Sequence, residues 1–209
     1  MSDRAGSSGS QRRDVCVAAI VLAAGRATRM DRQKLLLPLR ERALVEWVAD
    51  AALGAGVSET IVVVGHEAEA VGAILRDRPV RIVLNPDYAA GMSTSLRTGV
   101  QALRPDCDAA VFLLGDQPFV TSELIDRLIE AFANGRALIV RTSVGGHPGN
   151  PVLMARALFP EILEQQGDVG GREIAERHGQ RQIMVPVDDD RMALDVDTAE
   201  DYETASLAI

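Results

Sequence analysis

The stretch "VCVAAIVLAAG" at residues 15–25 decides the fold of this chain. Its first eight residues, 15–22, carry no charged side chain, and Gly25 ends the run. A continuous apolar run of this length is typical of a strand that is buried on both faces of a parallel sheet. We therefore predict a strand over 15–22, followed by a loop at a strand end.

Similar apolar runs recur along the chain and alternate with helical patterns. Strands are predicted at 60–65, 80–85, 109–116, 137–141 and 182–187. Helices are predicted at 44–53, 67–77, 94–103, 122–135, about 155–163, after 167–171 and from Thr198. The Gly- and Pro-rich segment "SVGGHPGNP" at 143–151 reads as a shaped loop. This alternation predicts an α/β fold with a mostly parallel central sheet, whose ligands bind at the carboxyl ends of the strands.

Composition limits the classes of function. The 209 residues carry a net charge of −8, which argues against general nucleic-acid binding. The two cysteines, Cys16 and Cys107, lie in or beside predicted strands and indicate buried, inert thiols rather than a disulfide framework. No run approaches the length of a membrane helix. We predict a flexible leader over 1–14, one domain over 15–209 and a cytoplasmic location.

The segment "LAAGRATRMDRQK" at 22–34 combines small residues with positive charge after the first strand. Gly25 allows the backbone to approach a ligand closely, and Arg26, Arg29 and Lys34 can neutralise a triphosphate. The segment matches neither GxxxxGK[ST] nor GxGxxG. An ordinary surface turn is the alternative interpretation.

Carboxylates follow at two further positions. Asp116, in "LLGDQP" at 113–118, ends a predicted strand and suits a Mg²⁺ that also binds phosphates, although it could simply cap a turn. Asp195 and Asp197, in "LDVDT" at 194–198, alternate along an extended segment, so we expect them to point to opposite faces unless the chain bends. Thr198 is a plausible N-cap of the last helix.

Two more segments carry possible ligand residues. "NPDYAAGMSTSLRTG" at 85–99 places a flexible glycine and several hydroxyls at a helix start, which can hold a base or a phosphate, or only cap the helix. In "GGHPGNP" at 145–151, His147 is either a general base or a solvated loop side chain.

Together these stretches resemble one family, the MobA-like nucleotidyltransferases. The resemblance runs from about Val17 to Tyr202 and rests on "LAAGRATRMDRQKLLLPL", "NPDYAAGMSTSLRTG", "LLGDQP", "GNPVLM", "GDVGGRE" and "DVDTAEDY" in that order. The branch it looks most similar to is the molybdenum-cofactor cytidylyltransferases. The resemblance implies a three-layer Rossmann-like nucleotidyltransferase fold. It also implies Mg²⁺-dependent transfer of CMP from CTP to molybdopterin, and a recipient molybdoenzyme or its chaperone as a possible partner.

The resemblance also implies roles for individual residues. Catalysis falls to Arg29, Lys34 and Asp116, with Asp116 and one of Asp195 and Asp197 at the metal. The implied nucleotide site comprises Leu22, Ala23, Ala24, Gly25, Lys34, Ala90, Gly91, Ser95 and Asp116. The implied acceptor site comprises His147, Gly149, Asn150, Pro151, Asp168 and Arg172. Ala24 favours CTP over GTP, because "LAAG" is associated with the cytidylyl branch.

The sequence departs from the family pattern at Asp31 and Glu41, where the family has glycine, and in "GHPGNP". Three alternatives therefore stay open. One is a nucleotidyltransferase for another phosphorylated acceptor, such as a sugar or polyol phosphate. Another is an NAD(P)H- or flavin-dependent reductase on the same fold, since some relatives take their names from nicotine-pigment reduction. The third is a protein that binds or delivers the cofactor without turnover.

Overall fold

The computed structural model describes residues 14–25, 34–168 and 170–208. Its strands are β1 (Val17–Ala23), β2 (Pro38–Leu39), β3 (Arg42–Ala43), β4 (Glu59–Val64), β5 (Arg81–Leu84), β6 (Ala109–Leu114), β7 (Ile139–Val144), β8 (His147–Ala155) and β9 (Gln182–Val187). Its α-helices are α1 (Leu44–Leu53), α2 (Ala68–Ile74), α3 (Met92–Gln101), α4 (Ser122–Asn134), α5 (Phe159–Glu164), α6 (Arg172–Arg177) and α7 (Ala199–Leu207). Most of the predicted leader, residues 1–13, lies outside the described residues.

The central sheet has seven strands in the order β5-β4-β1-β6-β8-β7-β9. All neighbouring pairs are parallel except those of β8, which runs antiparallel to both β6 and β7. The prediction of an α/β fold with a mostly parallel sheet is confirmed. The chain leaves β1 toward β4 on one side and later returns to β6 on the other, so the order reverses at β1. A ligand crevice is expected at such a reversal, outside the carboxyl ends of the strands.

Burial explains why the first strand forms where it does. Val17, Ala19 and Val21 are at most 1% exposed, and they pack into the main apolar core. Leu22 is partly exposed because it lies where the strand meets the ligand crevice. No helix among the described residues is long and apolar enough to cross a membrane.

Threonine side chains cap two of the helices, and one of them is the predicted cap at Thr198. The Thr121 hydroxyl accepts a hydrogen bond from the Leu124 N–H at the start of α4, at 3.2 Å. At the start of α7 the Thr198 hydroxyl accepts from the Asp201 N–H, and the Asp201 carboxylate accepts in return from the Thr198 N–H. Such reciprocal bonds satisfy backbone donors that a helix start leaves unpaired.

The prediction of a loop over 143–151 is wrong. The segment is a β-hairpin in which Gly145 (φ +55°) and Gly146 (φ +82°) join β7 to β8. Two consecutive residues with positive φ match the right-handed twist of the flanking strands, and glycine adopts this conformation without strain. Pro148 and Pro151 lie beyond the pairing of β8 with β6, so they interrupt no hydrogen bond on that side of the strand.

Candidate active site

The bend at residues 194–197 brings two carboxylates to the carboxyl end of β6. The Val196 N–H donates to the Asp116 carbonyl at 3.1 Å, and the Val196 side chain is fully buried with Leu39. The Asp197 N–H donates to the Asp195 carbonyl at 3.1 Å, which closes a tight turn. The prediction allowed for a bend at this point, and the bend is present: Asp195 and Asp197 both line one cavity with Asp116.

Lys34 lies between two of these carboxylates. Its Nζ is 2.5 Å from Asp116 Oδ2 and 2.5 Å from Asp197 Oδ1. Burial alone would lower the pKa of Lys34, but the adjacent Asp116 and Asp197 carboxylates outweigh it and raise that pKa above its ordinary value. The ammonium is therefore charged at neutral pH and offsets part of the negative charge around it.

Asp195 holds the third carboxylate of the cluster. Its Oδ1 accepts a hydrogen bond of 2.8 Å from the Gln117 side-chain amide. Although the residue as a whole is exposed, its carboxyl group lies against the protein. Partial desolvation of that group, with the nearby Asp116 charge, raises the pKa of Asp195 to about 6. Asp195 therefore titrates close to physiological pH.

The cluster fits a divalent cation. Asp116 Oδ1 is buried and forms no hydrogen bond within residues 14–25, 34–168 and 170–208, although a buried carboxylate oxygen normally has a partner. Asp195 and Asp197 lie beside it in the same cavity. Carboxylate oxygens are the ligands that Mg²⁺ and Mn²⁺ prefer, so these three side chains suit such an ion in kind.

A second group of potential metal ligands lies at the opposite, amino end of β1 and β6. It comprises Cys16, Asp106 and Cys107, with the two free thiols 3.8 Å apart. Burial raises the pKa of Cys107 to about 11, so this thiol stays protonated at neutral pH. Sulfur ligands suit softer metals than Mg²⁺, and we do not assign this group to the active site.

The carboxylate cluster lies in a cavity of about 690 Å³. Most of the residues predicted to bind nucleotide, metal or phosphate line this cavity. Besides Asp195 and Asp197, they are Leu22, Ala24, Gly25, Lys34, Ala90, Gly91, Ser95 and Asp116. Ala23 does not line it: side chains alternate along β1, and Ala23 is buried in the core. The predicted phosphate ligand Arg29 lies outside the described residues.

Gly91 fixes one wall of this cavity. Its φ of +110° is a conformation that residues with side chains rarely adopt, and an added Cβ would lie 2.5 Å from the Gly167 carbonyl group. The Ser93 hydroxyl donates to the Gly167 carbonyl at 2.7 Å, and the Met92 N–H donates to Asp168 Oδ1 at 3.2 Å. Residues 167–168 are thereby held against the start of α3.

Asn85 positions residues of this wall, and sequence reasoning missed it. It is 1% exposed, and its amide nitrogen donates to the Thr94 and Ser95 hydroxyls at 2.8 and 3.0 Å. Its carbonyl oxygen accepts from the Asp87 N–H at 3.0 Å. Its place directly after β5, at the carboxyl edge of the sheet, was a signal that could have found it.

A smaller cavity of about 230 Å³ adjoins the first, and the two share Leu22, Met92 and Leu114. Of the residues predicted to bind the acceptor, Asn150 and Arg172 line this smaller cavity. Asp168 lines the larger one instead, because its segment docks on α3.

His147, Gly149 and Pro151 line neither cavity, so the geometry does not support placing them beside the acceptor. Side chains alternate along β8, and Asn150 faces the cavity while its two neighbours do not. His147 is exposed at the start of the strand, where its backbone pairs with Val144.

Comparison with known proteins identifies the family. The model of the MobA-like NTP transferase domain matches residues 19–182. The chain belongs to this family. The protein is a nucleotidyltransferase, because it belongs to this family and because a nucleotidyl transferase is among the structures that share its fold.

The proteins that this chain resembles over most of its length differ in their names. The chain is 33% identical over 192 residues to nicotine blue oxidoreductase of Paenarthrobacter nicotinovorans, covering 88% of this chain and 94% of that protein. It resembles the structure of Rv0371c of Mycobacterium tuberculosis H37Rv in complex with manganese (29% identity, TM-score 0.79, 93% and 100% of the chains). It also resembles a nucleotidyl transferase from Methanothermobacter thermautotroptrophicus (27% identity, TM-score 0.80, 92% and 97% of the chains).

Proposed function

We propose that this nucleotidyltransferase transfers CMP from CTP to the phosphate of molybdopterin and releases pyrophosphate, with Mg²⁺ bound at the carboxylate cluster. The observation that carries the proposal is the group of Lys34, Asp116, Asp195 and Asp197 in one cavity at the carboxyl edge of the sheet. That cavity continues into a second one, as a reaction between two substrates requires. The manganese bound by the similar Rv0371c structure supports a divalent cation.

The reaction joins two phosphate groups and needs no protein nucleophile. A terminal phosphate oxygen of the acceptor attacks the α-phosphorus of CTP, and the bond from that phosphorus to the bridging oxygen of the β-phosphate breaks. Pyrophosphate leaves with the electron pair of the broken bond. Because the attacking oxygen is already anionic at neutral pH, no general base is required.

The chain contributes position and charge. When bound, a divalent cation neutralises the triphosphate and stabilises the charge that develops during in-line displacement. The Asp116, Asp195 and Asp197 carboxylates would hold it. The Lys34 ammonium, kept charged by its neighbours, binds phosphate oxygens directly.

The charge of the described cavity wall favours nucleotide binding together with a cation. Among the described residues that line the larger cavity, four carry carboxylates: Asp116, Asp168, Asp195 and Asp197. Against them stands the single ammonium of Lys34. A triphosphate would be repelled from this surface unless positive charge accompanied it. We infer that CTP binds as its metal complex.

Preference for CTP rests on Ala24. Its side chain is 2% exposed and packs beside Gly65 and Tyr88 at the end of β1. In the family resemblance this alanine separates the cytidylyl branch from the guanylyl branch. The reaction would take place in the cytoplasm, and a molybdoenzyme or its chaperone would receive the product.

A pyrophosphate-release assay tests the proposal. Folded protein is given molybdopterin and Mg²⁺, with CTP, GTP, ATP and UTP in parallel, and EDTA serves as the control for the metal. We expect release with CTP and none in EDTA. If pyrophosphate is released only with a sugar or polyol phosphate, that compound and not molybdopterin is the acceptor. If no combination of nucleotide and acceptor releases pyrophosphate, the transferase proposal is contradicted.

A reductase is the second candidate, because the nicotine blue oxidoreductase relative covers almost the whole chain. Oxidation of NADH or NADPH in the presence of a quinonoid pigment, followed by absorbance, tests it. The transferase and reductase assays on one protein preparation separate the two functions.

A further inference from the structure

The smaller cavity has a floor made of one face of the sheet. Phe112 of β6, Val152 of β8 and Arg141 of β7 are register partners across three neighbouring strands, so their side chains share that face. Asn150 and Met154 extend the floor along β8. Arg141 is the charged residue of a floor that is otherwise mostly apolar.

The Arg141 guanidinium forms no ion pair within the described parts of the chain. Its Nε is buried and has no hydrogen-bond partner within the described parts of the chain, and Nη2 donates only a long bond of 3.4 Å to the Gly149 carbonyl. No carboxylate of residues 14–25, 34–168 or 170–208 forms an ion pair with it. A partly buried cation without such a partner is unfavourable in the empty protein.

A second cation faces the same space. Arg172, at the start of α6, lines the cavity and is mostly exposed, with its Nε 2.9 Å from Glu176 Oε1. Burial and the charge of Arg172 lower the pKa of Arg141, and Glu176 only partly offsets them. Two like charges at one cavity are stabilised together when an anion binds between them.

The size and position of the cavity indicate which anion enters. Its volume of about 230 Å³ is below the roughly 300–1,000 Å³ of sites that enclose a whole ligand. It opens beside Leu22 and Leu114, next to the carboxylate cluster. A molecule reaching from the cluster into this cavity would place an apolar or planar body on the Phe112 side and its far end at Arg141.

We propose that Arg141 is a specificity-determining residue that binds an anionic group of the acceptor in this cavity, with Arg172 closing the site from α6. This deepens the proposed function and rests on it: the acceptor carries negative charge at a second point, away from the phosphate that receives the nucleotide. Acceptors that are neutral beyond their reacting phosphate leave Arg141 without a partner and react poorly.

Binding is tested first, without turnover. In ¹⁵N-labelled protein the Nε–H signal of Arg141 is identified by its loss in Arg141→Gln, and inorganic phosphate is added at millimolar concentrations. We expect this signal to shift in a saturable way, and to shift less in Arg172→Gln. If the Arg141 signal does not respond to phosphate, the proposal of an anion site at Arg141 is wrong, whatever reaction the protein catalyses.

Turnover with molybdopterin tests the assignment to the acceptor. Arg141→Gln should raise the KM for molybdopterin about 10- to 100-fold, the effect of one lost charged hydrogen bond, and leave the KM for CTP unchanged. The KM of Arg141→Lys for molybdopterin should lie between those of the wild type and Arg141→Gln. The control Arg76→Gln removes the same charge beyond α2, near the other edge of the sheet, and should change either KM by less than about twofold.

Two results would overturn the assignment. One is an unchanged KM for molybdopterin in Arg141→Gln together with altered inhibition by pyrophosphate, which would make Arg141 a product site. The other is an equal rise in both KM values, which would indicate a general structural role. If wild-type protein releases no pyrophosphate with any nucleotide, the proposed function fails, while the phosphate titration still decides on the anion site.

Discussion

At the scale of single residues, the metal assignment depends on Asp116 Oδ1, which is buried and has no hydrogen-bond partner among the residues that the structure describes. A carboxylate oxygen in that state is costly unless something binds it. The sequence predicted Asp116 from its place at a strand end. It could not predict that Lys34 would take the other oxygen, because that contact spans 82 residues of chain.

Replacement of Asp116 by alanine should abolish turnover and keep the fold. We expect activity to fall at least about a hundredfold, the typical loss when a group that stabilises transition-state charge is removed. Lys34 keeps Asp197 as a partner, so the melting temperature should stay within about 5 °C of wild type. Pyrophosphate release and calorimetry measure the two effects, with the exposed Asp77→Ala as control. Wild-type turnover in Asp116→Ala would refute the metal assignment.

The raised pKa of Asp195 predicts a dependence of stability on pH. The carboxyl binds its proton up to about pH 6 in the folded protein but only up to about 3.8 when unfolded. Between these values the folded state holds more protons, so this group's contribution to stability falls as pH rises. At pH 7 its charge destabilises the metal-free protein.

Asp195→Asn should therefore be more stable than wild type at pH 7 in EDTA, and the difference should vanish near pH 4. The asparagine oxygen can still accept the hydrogen bond from Gln117. Urea unfolding at several pH values measures the difference. A gain in stability that is constant across pH would show that packing, and not titration of Asp195, is its cause.

At the scale of elements, the start of α3 is held against residues 167–168 and lines both cavities through Met92. We predict that Gly91→Ala lowers the free energy of unfolding by about 2–4 kcal/mol, since it adds a methyl group 2.5 Å from the Gly167 backbone at a φ of +110°. Acceptor KM should rise as well, because the shared wall moves.

Gly72→Ala is the matched control for that substitution. Gly72 lies inside α2 with open space around it, so alanine should stabilise the protein by about 0.5–1 kcal/mol. Denaturant unfolding compares the two variants. Equal effects of both substitutions would mean that the contact with Gly167 does not restrain the wall.

Sequence reasoning predicted only part of β7 and missed β8, as it missed the short strands β2 and β3. Glycines and prolines over 145–151 suggested a loop, because such residues are rare in strands. The signal was present in Gly145-Gly146, a two-residue turn between runs that can pair. Since Arg141 and Asn150 lie on this hairpin, missing it also concealed the floor of the smaller cavity.

At the scale of the whole molecule, the sequence predicted those features of the fold and the site that depend on short stretches of chain. Apolar runs predicted the parallel strands, and their carboxyl ends predicted the edge on which Lys34, Asp116 and Asp195 meet. The bend that turns Asp195 and Asp197 to one side depends on a bond from Val196 to Asp116 and on the burial of Val196. These are long-range contacts, which periodicity does not encode.

The site as a whole is built on two kinds of scaffold. The larger cavity, where we propose that the nucleotide binds, lies at the carboxyl ends of β1 and β6 in the centre of the sheet. The smaller cavity, where we propose that the acceptor binds, has part of its floor on an antiparallel hairpin whose turn is two glycines. Residues 143–151, the outer part of the hairpin, lie beyond the ladder that joins β8 to β6, the strand that leads to Asp116. In evolutionary terms, we expect this outer part to be the exchangeable segment of the molecule, because the pairing that positions Asp116 does not include it.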